Sequence, residues 1–363
     1  MWVLSKLIKK ALRHVLAAFA ATTPPHMLGE EETRDSESSD DSRDEAEVKR
    51  DWTHPVRSAT WWVAAGELHA CEDRVISEEL RIGPHVAHCA AAIDGHGGDA
   101  CASWLRTHLA RYVESRLDAE TQRRRRRCRR RTAAEMARRA AERALRDADK
   151  GYRAACQREK NLSAKAGACV SLAVFFGGAL AVANLGDARA FLVADDGTVT
   201  QLTTTHRATL AKEALRVRRA GGSITRDGRV ARGVLEPTRT VGDFDIKRRY
   251  PRVVVADPDS VAITRRRRRS QRGTKPSSPY DSVALVLASD GVCDILPPND
   301  IGRLVASRLG VARDTEIAKT LVDEAKRLGT LDDATAVVLE FWPLMTPAAD
   351  HADIALVPQT TSS

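Results

Sequence analysis

Aromatic residues are scarce in this chain, only 4% of its 363 positions, while Ala, Val and Leu abound. A core of this size must be built largely from small aliphatic side chains. Cysteine is not used as a framework. Seven are present (Cys71, Cys89, Cys101, Cys128, Cys156, Cys169 and Cys293), an odd number, widely spaced and without a CxxC pair. That pattern argues against a disulfide scaffold or a cysteine zinc site. It reads instead as small buried thiols in a reducing, intracellular setting, with no choice among cytoplasm, nucleus and organelle. Long apolar runs are absent too, none reaching the ~18–20 residues of a membrane span.

Charge is unevenly distributed. The formal net charge is +9, and two arginine runs, RRRRRCRRR at 123–131 and RRRRR at 265–269, supply the whole excess, leaving the remainder mildly acidic. Each run falls between patterned segments. Each reads either as a solvated insertion (near 123–131 and 265–272), the first alternatively as a charged helix start, or as a patch for an acidic or anionic partner or nuclear import. No acidic residue precedes Glu30. Over residues 1–28, Lys6, Lys9, Lys10, Arg13 and His14 fall on one side of a helical wheel, with Leu4, Leu7, Ile8, Leu12, Val15, Leu16 and Phe19 on the other. Such a segment suits a transit peptide or an interfacial helix, with membrane or organelle contact through residues 1–20; its interspersed charges disfavour a signal anchor. Residues 29–59 follow as an acidic, serine-rich linker with too little apolar surface to fold. The patterned region is 60–342, and 343–363 reads as a disordered tail.

Within 60–342 the pattern predicts a strand over Val86–Ile93 and helices over 102–117 and 133–156. Strands follow over Cys169–Phe176, Leu180–Asn184, Ala190–Val193 and Val199–Leu202. A helix is expected over Ala211–Ala220, and strands over Val253–Val255 and Val283–Ala288. Helices near 299–308 and 314–327 precede a last strand over Ala334–Phe341. Strands clustered centrally with helices around them indicate an α+β class: two packed antiparallel sheets flanked by helices, a four-layer α-β-β-α sandwich.

Four segments share one design, an apolar strand beside an aspartate in a turn. Ala90–Ile93 leads to Asp94-Gly95-His96-Gly97-Gly98, Leu180–Leu185 to Gly186-Asp187, and Leu285–Ser289 to Asp290-Gly291, while Asp332-Asp333 precedes Ala334–Leu339. Another acidic pair, Glu72-Asp73, follows Gly66. A single Asp-Gly is usually only a turn. Several carboxylates at buried strand ends, however, would repel one another and lose hydration unless a cation compensates them. All-oxygen ligands suit Mg²⁺ or Mn²⁺ rather than zinc.

These residues carry a resemblance. The stretches ACEDR (70–74), AAIDGHGG (91–98), AGACVSLAV (166–174), VANLGDARAFLV (182–193), RAGGSITRDGRVARGVLEPTRTVGDFDIK (219–247), LASDGVCDIL (287–296) and DDATAVV (332–338) resemble, in order, the metal-dependent protein phosphatases of type 2C. The resemblance implies hydrolysis of phosphoserine and phosphothreonine in proteins by a monomeric enzyme. Two divalent cations would lie on Asp94, Asp290 and Asp332, the Gly95 carbonyl and Glu72 and Asp73, with a third, weaker position at Asp187, Asp290 and Asp294. It makes His96 the general acid. The alternative is a catalytically weak or silent relative that binds phosphoproteins or kinases. It rests on Leu68, which stands where the family usually has a phosphate-binding arginine; Arg74 is a conceivable substitute. Cys169, Ala188, Thr205 and Asp333 are milder departures. Arg229 and Arg239 match positions in a flap over 221–247, where pairing with local acids is at least as good a reading as substrate contact.

Overall fold

The computed structural model describes residues 56–126, 131–267, 282–309, 316–341 and 352–356. The basic segment 1–28 and most of the acidic stretch fall outside them. The strands are β1 (Val56–Ala64), β2 (Arg74–Ile82), β3 (His85–His96), β4 (Gly167–Phe176), β5 (Ala179–Leu185), β6 (Arg189–Ala194), β7 (Val199–Gln201), β8 (Val241–Gly242), β9 (Asp259–Arg267), β10 (Ser282–Ala288), β11 (Ala334–Phe341) and β12 (Ala352–Leu356). The helices are α1 (Ala100–Arg126), α2 (Ala133–Arg158), α3 (Ala211–Arg219), α4 (Phe244–Arg249), α5 (Asp290–Cys293), α6 (Pro298–Ala306) and α7 (Ile317–Arg327).

The strands form two antiparallel sheets, in the order β1-β11-β10-β6-β7 and β12-β9-β5-β4-β3-β2, with β8 paired to the start of β4. Ala90, Ala92, Ala173, Phe175, Val182, Leu192, Leu285, Leu287 and Val337 fill the layer between them. Helices α1 and α2 cover the outer face of the larger sheet, and α5, α6 and α7 that of the smaller. This is the expected four-layer sandwich. β4 and β5 are buried along their whole length, so both faces are apolar and the alternation of a half-exposed strand disappears. The scarcity of aromatics is answered at α2, whose buried face is Ala134, Ala137, Ala140, Ala141, Ala144 and Ala148 around Met136 and Leu145. Small side chains let the helix approach the sheet closely. Thr132 and Glu135 close a reciprocal capping box at its start, which fixes where α2 begins.

Several sequence expectations are corrected. β1 begins at Val56, inside the segment read as linker, and pairs with β11 through Val56↔Phe341. Ala352–Leu356 of the presumed tail pairs with β9. Arg123 is not in an insertion: α1 continues through Arg126, because buried Glu120 pairs with Arg123 (3.6 Å), Arg139 (3.7 Å), Arg143 (2.7 Å) and Arg131. Arg265 to Arg267 belong to β9, and 268–272 lie outside the described residues. Val253–Val255 makes only an isolated bridge, Arg239↔Val255, because Val253 and Val254 pack into the flap cluster with Val217, Val230 and Ile246. The six described cysteines are unpaired. Among the described residues, no helix is long and apolar enough to cross a membrane.

Candidate active site

Antiparallel pairing brings alternate strand termini to the same end of each sheet. β3 and β5 of the larger sheet finish at the end of the sandwich where β10 of the smaller finishes and β11 begins. The aspartates that follow or precede those strands therefore converge. Oxygens of Asp94, Asp187 and Asp290 lie within 4.8 Å of one another. Asp332 is a neighbour whose charge acts on Asp94, Asp290 and Asp73, but the tightest trio contains Asp187 in its place. The family resemblance instead groups Asp94 and Asp290 with Asp332 and assigns Asp187 to the weaker third position.

Burial and mutual repulsion push these carboxyls up. Asp94 and Asp290 are raised well above the usual carboxylate range, first by burial and then by their acidic neighbours. Asp73 is pushed up to about 7, chiefly by burial, with Asp333 and Asp332 adding to it. Neither oxygen of Asp73 makes a hydrogen bond of good geometry, although the Thr335 and Ser289 hydroxyls lie alongside. A buried carboxylate without partners is costly unless a cation reaches it. The donor set is all oxygen and crowded with negative charge, so the residues fit hard divalent cations.

The loop bearing Glu72 and Asp73 is pinned by Asp333, whose two oxygens accept the backbone N–H of Gly66 (2.6 Å) and Glu72 (2.7 Å). A carboxylate offers two acceptors where an amide offers one, so aspartate at 333 serves this loop well. Glu72 Oε1 accepts the Gly98 N–H at 3.1 Å. Any side chain at Gly95 would strike the Glu72 carbonyl, so only glycine lets these two backbones approach.

His96 stands opposite Gly167, which in turn stands opposite Gly242 at the start of β4. Gly167 leaves the space through which the ring reaches the next residue, Asp243, with Nε2···Oδ2 at 3.0 Å; a Cβ at 167 would collide with both. Asp243 is held in a left-handed conformation (φ 53°) and also accepts the Thr240 hydroxyl at 2.6 Å. Burial lowers the proton affinity of His96, and the Asp243 charge and hydrogen bond overcome it, so its pKa is raised. Asp243 was not singled out from the sequence. Its signal was the same strand-Gly-Asp design, here after the two-residue strand β8.

A second unanticipated residue is Arg207. Its Nε lies 2.6 Å from Asp187 Oδ2 and its two terminal nitrogens 2.8 Å from Asp290 Oδ2 and 2.6 Å from Asp294 Oδ2. Asp294 is shared with Arg189 at 2.6 Å. No spacing in the sequence announces Arg207. It is placed because His206 N–H donates to the Gly186 carbonyl and Gly186 N–H donates back to His206 Nδ1, clamping the segment to the Gly186-Asp187 turn.

The arginines considered for substrate contact are engaged elsewhere. Leu68 is exposed (71%). Arg74 is committed to Asp99 (2.6 Å) and to the Cys71 and Asp73 carbonyls. Arg239 is buried against Glu213 and Asp259, and Arg229 pairs with Asp227 and Glu236.

Comparison with known proteins agrees with this architecture. The Protein phosphatase 2C family model matches residues 66–334. The chain is 31% identical over 259 residues to "Probable protein phosphatase 2C 47" of Oryza sativa subsp. japonica, covering 68% of this chain and 58% of that protein. It is 31% identical over 257 residues to "Probable protein phosphatase 1N" of Mus musculus, covering 69% and 56%. The chain thus spans less than two thirds of these relatives' own length. Among solved structures, the serine-threonine phosphatase 2C from Toxoplasma gondii superposes with a TM-score of 0.61 at 20% identity, over 79% of this chain and 97% of that one, which speaks for the fold. With the matched region running from the Glu72 loop to the start of β11, and so enclosing every carboxylate of the cluster, the chain belongs to the protein phosphatase 2C family.

Proposed function

We propose that this chain hydrolyses phosphoserine and phosphothreonine esters in proteins, using water activated at a pair of Mn²⁺ or Mg²⁺ ions. The observation that carries this is the meeting of buried and half-buried carboxylates from both sheets with too few cations of their own. Asp94, Asp290 and Asp332, the Gly95 carbonyl and the Glu72-Asp73 pair are the groups that would hold the ions. When bound, such ions supply Lewis acidity toward water and shield phosphoryl charge.

The protein's own part is to position groups and move a proton. His96, whose proton affinity Asp243 raises, donates from its ring to the departing serine or threonine oxygen, a role worth roughly 10²–10⁴ in rate. The described cysteines are poor nucleophiles, because burial pushes all six thiols upward and away from the thiolate. Direct attack by water therefore suits this site better than a phosphocysteine intermediate. Phosphate binding lacks the guanidinium fork that an arginine at 68 would supply. Weak ground-state affinity is the expected consequence, and the sequence's retention of Glu72, Asp73, Asp94, Asp290 and Asp332 supports activity over the silent protein that Leu68 first suggests.

The test is turnover of a phosphothreonine peptide with Mn²⁺ and after chelation, by wild type and Asp290→Ala. Activity is expected to need the metal and to fall by roughly a hundredfold or more in the variant. Undiminished turnover in chelator would sink the proposal.

A further inference from the structure

Asp187, Asp290 and Asp294 are the three carboxylates that the family resemblance assigns to a third, weaker cation. In this chain one guanidinium already joins them. Arg207 reaches one oxygen of each at 2.6, 2.8 and 2.6 Å, and adds Glu236 at 3.1 Å. Its side chain is only 12% exposed, and a guanidinium stays protonated in proteins, so its charge is permanent. Resting on the two-cation reading above, we infer that Arg207 takes the place of the third cation: the chain carries that positive charge covalently and binds two divalent ions, not three.

The physical case is one of exclusion. Mg²⁺-type coordination needs carboxylate oxygens at ~2.0–2.1 Å in near-octahedral array. The same oxygens are engaged by N–H donors whose planar, rigid fork matches several acceptors at once. A divalent ion set against Oδ2 of Asp187 and Asp294 would meet the guanidinium at close range, whereas Asp290 gives Arg207 only its Oδ2 and keeps its other oxygen for the paired ions. Guanidinium is also weakly hydrated, so it gives up less solvation than a divalent ion in moving into a half-buried pocket. The arrangement is anchored from behind. Asn184 Nδ2 donates to the carbonyls of Gly186 (3.0 Å) and Thr204 (3.3 Å), and His206 and Gly186 exchange hydrogen bonds, so Arg207 is not a loose surface side chain folded inward. Because Glu236 belongs to the flap, the guanidinium also ties the flap to Asp294 at the end of α5.

The experiment counts Mn²⁺ ions by isothermal titration and equilibrium dialysis on the full chain, comparing wild type with Arg207→Met and Arg207→Lys. Wild type is expected to bind two ions and Arg207→Met three, while Arg207→Lys, which keeps a cation, stays at the wild-type number. One extra ion in Arg207→Met supports the inference, and an unchanged number overturns it. A wild type that binds no ions would instead defeat the two-cation reading, so the two failures are distinguishable. Should Arg207→Met fail to fold, Asp294→Asn decides the matter. This half-exposed carboxylate should leave the wild-type count unchanged if Arg207 fills the position, and the loss of one ion overturns the inference.

Discussion

Two clusters of buried charge lie within this fold, and they behave oppositely. At the base of the flap, Glu213 on α3 accepts from Arg239 at 2.6 Å and from the Thr238 hydroxyl at 2.6 Å, with Arg216 at 3.0 Å, while Arg239 also pairs with Asp259 at 3.0 Å. Burial alone would raise the Glu213 carboxyl. The hydrogen bonds and charges of Arg239 and Thr238 overcome it and hold it down at about 2. At the strand ends, burial acts in the same direction on Asp73, Asp94 and Asp290, but the neighbours are mostly further acids, and the pKa values rise. Burial is common to both sites; the supply of counter-charge is not. A cluster neutralised by its own arginines holds the structure together, whereas one left short of cations needs some from outside.

The largest effect expected from this contrast is at the self-sufficient cluster. Arg239→Met leaves Glu213 buried without its main partner and should cost about 3–5 kcal/mol, read as a lower urea midpoint at constant slope. Arg239→Met combined with Glu213→Leu should recover much of the loss. The pH dependence follows with its sign. The folded value of Glu213, about 2, lies below its ordinary value of 4.5, so its contribution is fully present above 4.5 and disappears as pH falls toward 2.

The cation-poor cluster should show the reverse. Asp73 has a folded value of about 7 against an ordinary 3.8. Metal-free protein therefore loses stability from this group as pH rises from about 4 through 7, and Mn²⁺ should restore it. Thermal melts at pH 5 and pH 8 with and without Mn²⁺ should give the larger metal-induced stabilisation at pH 8. Asp73→Asn should stabilise the metal-free form at pH 8 by about 1–3 kcal/mol and shrink the response to metal. A metal response that is equal at both pH values would dissolve the contrast between the clusters.

The cluster was partly legible because its members sit beside apolar strands, and local pattern marks strand ends well. Asp94, Asp187 and Asp290 were found in this way. Which aspartates touch most closely was not legible, because the approach of Asp187 to Asp94 and Asp290 depends on residues far apart in sequence. Arg207 went unread because nothing in sequence links it to Asp187; two reciprocal backbone contacts at Gly186 bring it in. β2 was missed for a different reason. RVISEELRI buries only Ile76, Leu80 and Ile82 and carries its charges on an exposed sheet edge, and edge strands are commonly charged in this way. The arginine run at 123–131 reads as an insertion or a helix start because it lies between patterned segments and carries no apolar periodicity of its own. The buried Glu120, paired with four arginines, could not be inferred from neighbouring residues.

The smallest expected effect lies at the rim of the cation-poor site, where one more positive charge can be added without entering it. Leu68 is exposed, and its loop is tied down on either side by the Asp333 carboxylate through Gly66 and Glu72, with Glu67 N–H on the Leu331 carbonyl at 3.0 Å. An arginine there would start from a fixed backbone beside the cluster, with no apolar packing to lose. Leu68→Arg should therefore lower KM for a phosphothreonine peptide by roughly three- to tenfold, the gain of one charge-assisted contact discounted for exposure. Because the added contact holds the substrate phosphate equally before and during reaction, kcat should change little. Added salt should erode the gain in Leu68→Arg more than it affects the wild type, since an exposed charge is screened over about a Debye length of 10 Å at 0.1 M. If KM stays fixed while kcat rises, the arginine contributes to the transition state rather than to binding, and the rim must then be counted as part of the reacting site.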